Sequence, residues 1–296
     1  MTRSLRLPGR SAWIGALIVL LVSTTRAAGP DQGILWEVHR DGERLAYLFG
    51  TVHSDREEVL DLPPPVRRAF DRSRRYAFEL DMQAIDPAAI GRVTRLSGDQ
   101  TLKTILPDPL WQRARAAARE RGLAPTTAAL LEPWALAITL ALPPTDPRAV
   151  LDHELQRAAR ADGHPVTGLE TATEQLAIFD ELPRGQQIEM LRSTVEQIES
   201  GQADRLYADL VDAWLARDLG RLARIAERHP TLPDAGDNEA LMNRLLRERN
   251  RRMVERMEPL LARGDAFIAV GAMHLVDDDG LIRLLERRGY ELRPVY

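Results

Sequence analysis

The chain has no cysteine, a single lysine and only 5% aromatic residues, and these shortages narrow the field. Without cysteine there are no disulfides, no thiol nucleophile and no Cys-ligated zinc, so the fold has to be held by its core. Lys103 is the only lysine and arginine supplies all other positive charge, which we read as genomic base composition rather than function. With 40 Lys and Arg against 44 Asp and Glu, the net charge of −4 offers no overall basic field to nucleic acid or anionic lipid. Repeats and low-complexity segments are missing too. So are a nucleophile elbow, a phosphate loop, a His-Glu-x-x-His helix and a Rossmann fingerprint.

No apolar run is long enough for a comfortable membrane span, which takes about 20 residues. The run Trp13 to Val22 follows Arg3, Arg6 and Arg10 and precedes Thr25-Arg26-Ala27, the layout of a secretory signal cleaved after Ala27. Residues 1–27 are therefore expected to be a signal peptide. The mature chain, 28–296, is expected to be periplasmic or secreted, with no stable membrane span. The alternative is an uncleaved N-terminal anchor. No cysteine follows the apolar run, which excludes a lipid-modified N-terminus.

The mature part is long enough for one large domain or two small ones. Ile34 to Val38 and Leu45 to Phe49 flank Asp41-Gly42, a strong hairpin signal. Arg75 to Asp81 reads as a strand ending in carboxylates, and His164 to Glu170 as another. Helical patterns fill about 84–162 and 172–262, punctuated by Pro107, Pro125, Pro133, Pro143-Pro144 and Pro183. Within them, Glu239 to Ala262 reads as a long, Arg-rich helix. Strand Ala266 to Val270, helix Gly280 to Arg288 and strand Tyr290 to Val295 close the chain. The expected fold is α/β: a mixed, mostly parallel central sheet built from both chain ends, with a large helical insertion and the hairpin as an antiparallel edge.

Two segments near opposite ends of the sequence look alike. Leu45 to His53 and Ala266 to His274 each read as an apolar strand followed by Gly-x-x-His, at Gly50/His53 and Gly271/His274. Chance placement gives roughly 0.4 such matches in a chain of this composition, so two behind strand-like runs are informative. Glycine suits a sharp exit or a close backbone approach, and the histidine falls where open α/β sheets place ligands. Glu79 and Glu170 end two further strands. If the four strands are parallel neighbours, His53, Glu79, Glu170 and His274 share one sheet edge. They would form either a divalent-metal site (Zn²⁺, Mn²⁺ or Co²⁺) or a metal-free acid/base site. Asp81 alternates with Glu79 and is a possible fifth member. Arg249-Asn250 on the long helix could hold an anionic substrate group or orient a carboxylate. Thr51 and Ser54 flank His53 as possible hydroxyl nucleophiles. His39, His153, His164 and His229 read as structural or exposed, and Asp277-Asp278-Asp279 as a helix cap and dipole partner.

These residues resemble the TraB/GumN family, which includes the TIKI proteins and is related to the EreA/ChaN-like proteins. The resemblance rests on five segments: Tyr47-Leu-Phe-Gly-Thr-Val-His53, Phe78-Glu79-Leu-Asp81, Val166-Thr-Gly-Leu-Glu170-Thr with Gln175-Leu176, Glu248-Arg-Asn250-Arg-Arg-Met253 and Val270-Gly-Ala-Met-His274-Leu. It covers about residues 34–296. It implies a parallel sheet with its site at one edge and a metal-dependent, peptidase-like hydrolase, since TIKI proteins are Mn²⁺- or Co²⁺-dependent metalloproteases. Carried over by position, His53, His274, Glu79 and Glu170 are the metal ligands. Glu79, Glu170, Arg249 and Asn250 are the catalytic set, acting on an exported or periplasmic peptide or protein. Many members continue His-Leu-Pro-Gly after the second motif, whereas here His274-Leu275 runs into Val276-Asp277, a more acidic loop. The alternatives are a non-catalytic protein that sequesters a peptide or haem-like ligand, and a metal-free His/Glu esterase.

Overall fold

The computed structural model describes residues 32–144 and 149–296. The expected signal peptide, 1–27, and its cleavage after Ala27 lie outside the described residues. The strands are β1 (Leu35–Arg40), β2 (Glu43–Thr51), β3 (Arg75–Leu80), β4 (Val166–Glu170), β5 (Ala266–Gly271) and β6 (Glu291–Pro294). They form one six-stranded sheet in the order β4-β3-β5-β2-β1-β6. β4, β3, β5 and β2 are parallel neighbours, and β1 is antiparallel to both β2 and β6. The fold is thus mixed α/β with a mostly parallel sheet drawn from both chain ends.

The β1–β2 hairpin turns through Asp41 (φ 54°) and Gly42 (φ 81°), the positive-φ pair that a two-residue turn needs. It does not form the edge, however. β6 pairs outside β1, from Trp36↔Pro294 to His39↔Glu291, so the sheet edges are β4 and β6. A short, largely exposed strand ending in proline suits an edge, where a missing donor costs nothing. β5 is buried at every residue, as expected for a continuous apolar run inside a parallel sheet. Phe267 at its centre packs on Phe49 of β2 (5.7 Å between ring centroids) and on Phe70 (5.3 Å), tying three elements into one aromatic seam.

Helices occupy Pro87–Val93 through Leu151–Ala161 between β3 and β4, and Ala172–Asp180 through Arg249–Leu261 between β4 and β5. The punctuating prolines become starts: Pro125 and Pro133 open helices, and Pro107 and Pro183 precede them. The long Arg-rich helix is not uniform. Ala235–Met242 passes through a π-helical turn, Asn243–Glu248, into Arg249–Leu261. Buried positions run 238, 241, 242 and 245, then resume at 249, 250, 253, 254 and 257. The wider turn delays the buried stripe by one residue, so that Arg249 and Asn250 both face inward. Such turns recur at functional sites.

The glycine of the first motif works by proximity, not by an unusual dihedral. Neither Gly50 nor Gly271 has positive φ. A Cβ on Gly50 would lie 2.8 Å from Leu275 Cδ1, 3.0 Å from Ala272 Cα and 3.1 Å from Ala272 Cβ. The first motif's glycine is therefore the floor on which the second motif's turn rests. Gly50→Ala is expected to lower stability by about 1–3 kcal/mol through overpacking, read by urea denaturation.

Candidate active site

Since β4, β3, β5 and β2 are parallel, Glu170, Glu79, His274 and His53 all fall at or just beyond the carboxyl edge of the sheet, in that spatial order. All four are buried.

The core of the site is a buried ionic cluster. Arg249 Nη2 donates to Glu79 Oε2 at 2.6 Å, and its Nε donates to Glu170 Oε2 at 2.9 Å. Gln175 Nε2 donates to the same two oxygens at 3.1 and 3.2 Å, and Arg252 reaches Glu170 Oε1 at 3.5 Å. Burial opposes the Arg249 charge, but the facing carboxylates outweigh it and raise its pKa. Arg249 thus orients carboxylates and has no free face for a substrate anion. Glu170, expected among the metal donors, has both oxygens engaged in this cluster. Glu79 keeps Oε1 outside the fork, where it accepts from Gly271 N–H at 2.6 Å.

His274 is held by Asn250. Asn250 Nδ2 donates to the Asp279 carbonyl at 2.8 Å, which turns its Oδ1 towards His274 Nδ1, 2.5 Å away. Nδ1 therefore carries the proton. Burial first, and then Arg249, push the His274 pKa well below its ordinary 6.5, against the pull of Glu170. The ring is neutral, and Nε2 presents a lone pair towards Glu79 Oε1 at 3.6 Å. The Asp277–Asp279 run is not a cap: the Leu281–Arg287 helix has Gly280 at its N-cap and no side-chain cap bond. Asp279 instead anchors Arg247 (3.4 Å) and Arg251 (3.6 Å), bracing the loop whose carbonyl holds Asn250.

His53 neighbours a residue that the sequence did not single out. Asp152, in the first turn of Leu151–Ala161, lies 3.6 Å from His53 Nδ1. Its Oδ1 accepts from Thr51 Oγ1 at 2.9 Å. Neither ring nitrogen of His53 has a hydrogen-bond partner. An acid in a helix's first turn ordinarily reads as a dipole partner, so no local signal marked Asp152. Gln175 was legible only as part of the family resemblance. Ser54 accepts from Tyr207 O–H (2.8 Å) and Arg56 N–H (3.2 Å), so both hydroxyls beside His53 have structural partners. Asp81 turns away from the cluster to pair with Arg160 at 2.5 Å. His39, for its part, is buried beside Glu37.

The Arg-rich helix also closes the β4 end. Arg256 pairs with Glu174 at 2.6 Å and donates to the Leu169 carbonyl at 2.7 Å, while Glu174 completes a capping box with Thr171. The Arg256 hydrogen bond, then those of Thr171, hold the Glu174 pKa at about 2 against the effect of burial. A depressed carboxylate pKa contributes stability that is complete above the unfolded value near 4.5 and is lost as pH falls towards 2. Stability measured by urea at pH 5 and pH 3 should therefore fall less steeply for Arg256→Gln than for the unaltered chain.

A divalent cation can be tested against these donors. Among the described residues, no three His, Asp or Glu side chains converge as a ready-made cage. Two pairs of polar side chains do face each other, His274 with Glu79 and His53 with Asp152, each at 3.6 Å. Near a tetrahedral angle, donors sharing an ion at about 2.1 Å stand about 3.4 Å apart. A bridging water with hydrogen bonds of about 2.8 Å would set them about 4.6 Å apart at that angle, and a direct hydrogen bond about 2.8 Å. The observed spacing is nearest the first case. The facing pairs are thus His274 with Glu79 and His53 with Asp152, while both oxygens of Glu170 accept from Arg249, Gln175 and Arg252.

Fold and site together define a class: α/β proteins whose parallel strands deliver two histidines and two carboxylates to one edge, braced by a buried arginine. Residues 34–294 match the TraB/PrgY/gumN family, and the chain belongs to it. It is similar to Metalloprotease TIKI2 of Danio rerio, with 28% identity over 312 residues that cover 87% of this chain and 60% of the relative. It is also similar to Metalloprotease TIKI1 of Homo sapiens, with 26% identity over 321 residues, 88% of this chain and 63% of the relative. Uncharacterized protein YbaP of Shigella flexneri is 22% identical over 249 residues, 82% of this chain and 89% of the relative. The chain thus spans only about three fifths of each of these two TIKI proteins. No solved structure matches it. No helix among the described residues is long and apolar enough to cross a membrane.

Proposed function

We propose that the protein is a metal-dependent, peptidase-like hydrolase that acts on an exported or periplasmic peptide or protein. The observation that carries this reading is the His274–Glu79 pair: a neutral Nε2 lone pair and a carboxylate oxygen held 3.6 Å apart in a buried site. A donor and an acceptor would hydrogen-bond there; two acceptors ask for a cation. The metalloprotease names of several relatives support the same class.

His53, His274 and Glu79 would hold a divalent cation, with Mn²⁺, Co²⁺ and Zn²⁺ as the candidates, and the ion would supply a Lewis acid for a carbonyl and for water. The chain's own residues do the rest. Asn250 keeps the His274 proton on Nδ1, leaving Nε2 as the donor. Arg249 and Gln175 fix the Glu79 carboxylate through Oε2 and leave Oε1 facing His274 Nε2. Glu170 anchors Arg249, and so acts on Glu79 through it. A cavity of about 500 Å³ beside the ends of β3 and β4 is lined by Leu80, Ile85 and Val166 together with Asp81, Asp86 and Glu170, a mixed apolar and acidic surface.

The test is cleavage of a peptide mixture before and after chelation. Cleavage should vanish on chelation and return with Mn²⁺, Co²⁺ or Zn²⁺. Cleavage that survives complete chelation contradicts the reading and favours a metal-free His/Glu esterase. N-terminal sequencing of the mature protein tests the export expectation.

A further inference from the structure

We propose that Asp152 is a donor of the cation site, paired with His53 and delivered by the helical insertion rather than by the sheet edge. The proposal rests on the metal reading above.

Asp152 sits in the first turn of the Leu151–Ala161 helix, where an acid suits the helix dipole, but its side-chain hydrogen bond leaves the helix. The carboxylate is aimed at the end of β2, which lies 101 residues earlier in the chain. Thr51 Oγ1 donates to Oδ1 at 2.9 Å, and Leu151 N–H donates to the Ser54 carbonyl at 3.3 Å, so strand end and helix start are fixed to each other on both sides of His53. Oδ2 is left buried with no hydrogen-bond partner. So are both nitrogens of His53, 3.6 Å from it at the nearest.

His53 Nδ1 and Asp152 Oδ2 face each other at 3.6 Å without a hydrogen bond, and buried polar atoms cost free energy if left dry. A proton shared directly between Nδ1 and Oδ2 would draw them to about 2.8 Å, and the Thr51 bond leaves no rigid barrier to that approach. Their separation is instead close to that of two donors on one ion. Thr51 acts as the positioning residue: its hydroxyl takes one carboxylate oxygen and thereby turns the other towards His53.

The experiment is a Co²⁺ titration of the full chain, following visible d–d absorption and heat of binding. Asp152→Asn keeps the shape and the Thr51 contact but removes the anionic donor. It is expected to weaken Co²⁺ at least 10-fold and to change the d–d spectrum, while the metal-free protein unfolds at nearly its original temperature. Asp81→Asn, which removes a carboxylate paired with Arg160, controls for lost charge and should leave affinity and spectrum unchanged. Thr51→Val keeps the carboxylate but not its orientation and should weaken Co²⁺ several-fold, a readout that remains if Asp152→Asn does not fold. Unchanged affinity and spectrum in Asp152→Asn, with the unaltered chain binding Co²⁺, overturns the role of Asp152 and leaves the metal reading standing. Absence of Co²⁺ binding by the unaltered chain overturns both.

Discussion

Arg249→Met should destabilise the protein by about 3–5 kcal/mol, the cost of leaving buried charge without its partner. For a domain of this size that corresponds to a fall in Tm on the order of 10 °C. The guanidinium is 1% exposed and bridges Glu79 and Glu170, whereas the neighbouring Arg252 reaches only Glu170, at 3.5 Å. Arg249→Lys rescues little, because an ammonium cannot reach both carboxylates in the forked geometry. The cause can be separated from lost packing. Adding Glu170→Gln to Arg249→Met removes one of the stranded charges and should recover part of the loss, giving a coupling energy in a double-mutant cycle. A loss below 1 kcal/mol for Arg249→Met would show that the cluster is not what holds the sheet edge to the helical insertion.

His274→Ala and Glu79→Gln should each reduce peptide cleavage at least ~100-fold, the range associated with loss of a proton-handling or metal-holding group. The two variants fail differently. His274→Ala removes the Nε2 lone pair outright. Glu79→Gln leaves one acceptor oxygen for Gly271 or Arg249, not both, and loses the anionic oxygen that faces His274. Because Arg249 stays paired with Glu170, Glu79→Gln should lose less stability than Arg249→Met. Initial rates on one cleaved peptide, beside circular dichroism of the same samples, check this. Less than 10-fold loss in both variants removes the pair from the chemistry.

Much of the fold was legible because strand ends carry local signals. Asp41-Gly42, the two Gly-x-x-His segments and the carboxylates after β3 and β4 lie next to the apolar runs that place them. The position of β6 was not legible: its pairing with β1 joins the two ends of the described chain, and nothing in Glu291 to Pro294 names a partner. The site divides in the same way. His53, Glu79, Glu170 and His274 could be read from single segments, but what each touches could not. Glu170 and Asp81 look alike in sequence, yet Arg249 lies beside the first and Arg160 beside the second. The inward turn of Arg249 and Asn250 depends on a π-helical turn that a 3.6-residue period does not foresee. Asp152 meets His53 only after a helical insertion has folded back on the sheet edge, so long-range packing set that contact rather than any motif.

The most direct measurement is an anomalous difference map from a cobalt-loaded crystal. It should show a peak within about 2.0–2.3 Å of His274 Nε2 and Glu79 Oε1. A chain that cleaves peptide while its cobalt peak lies away from both histidines, or is missing at full loading, contradicts the account.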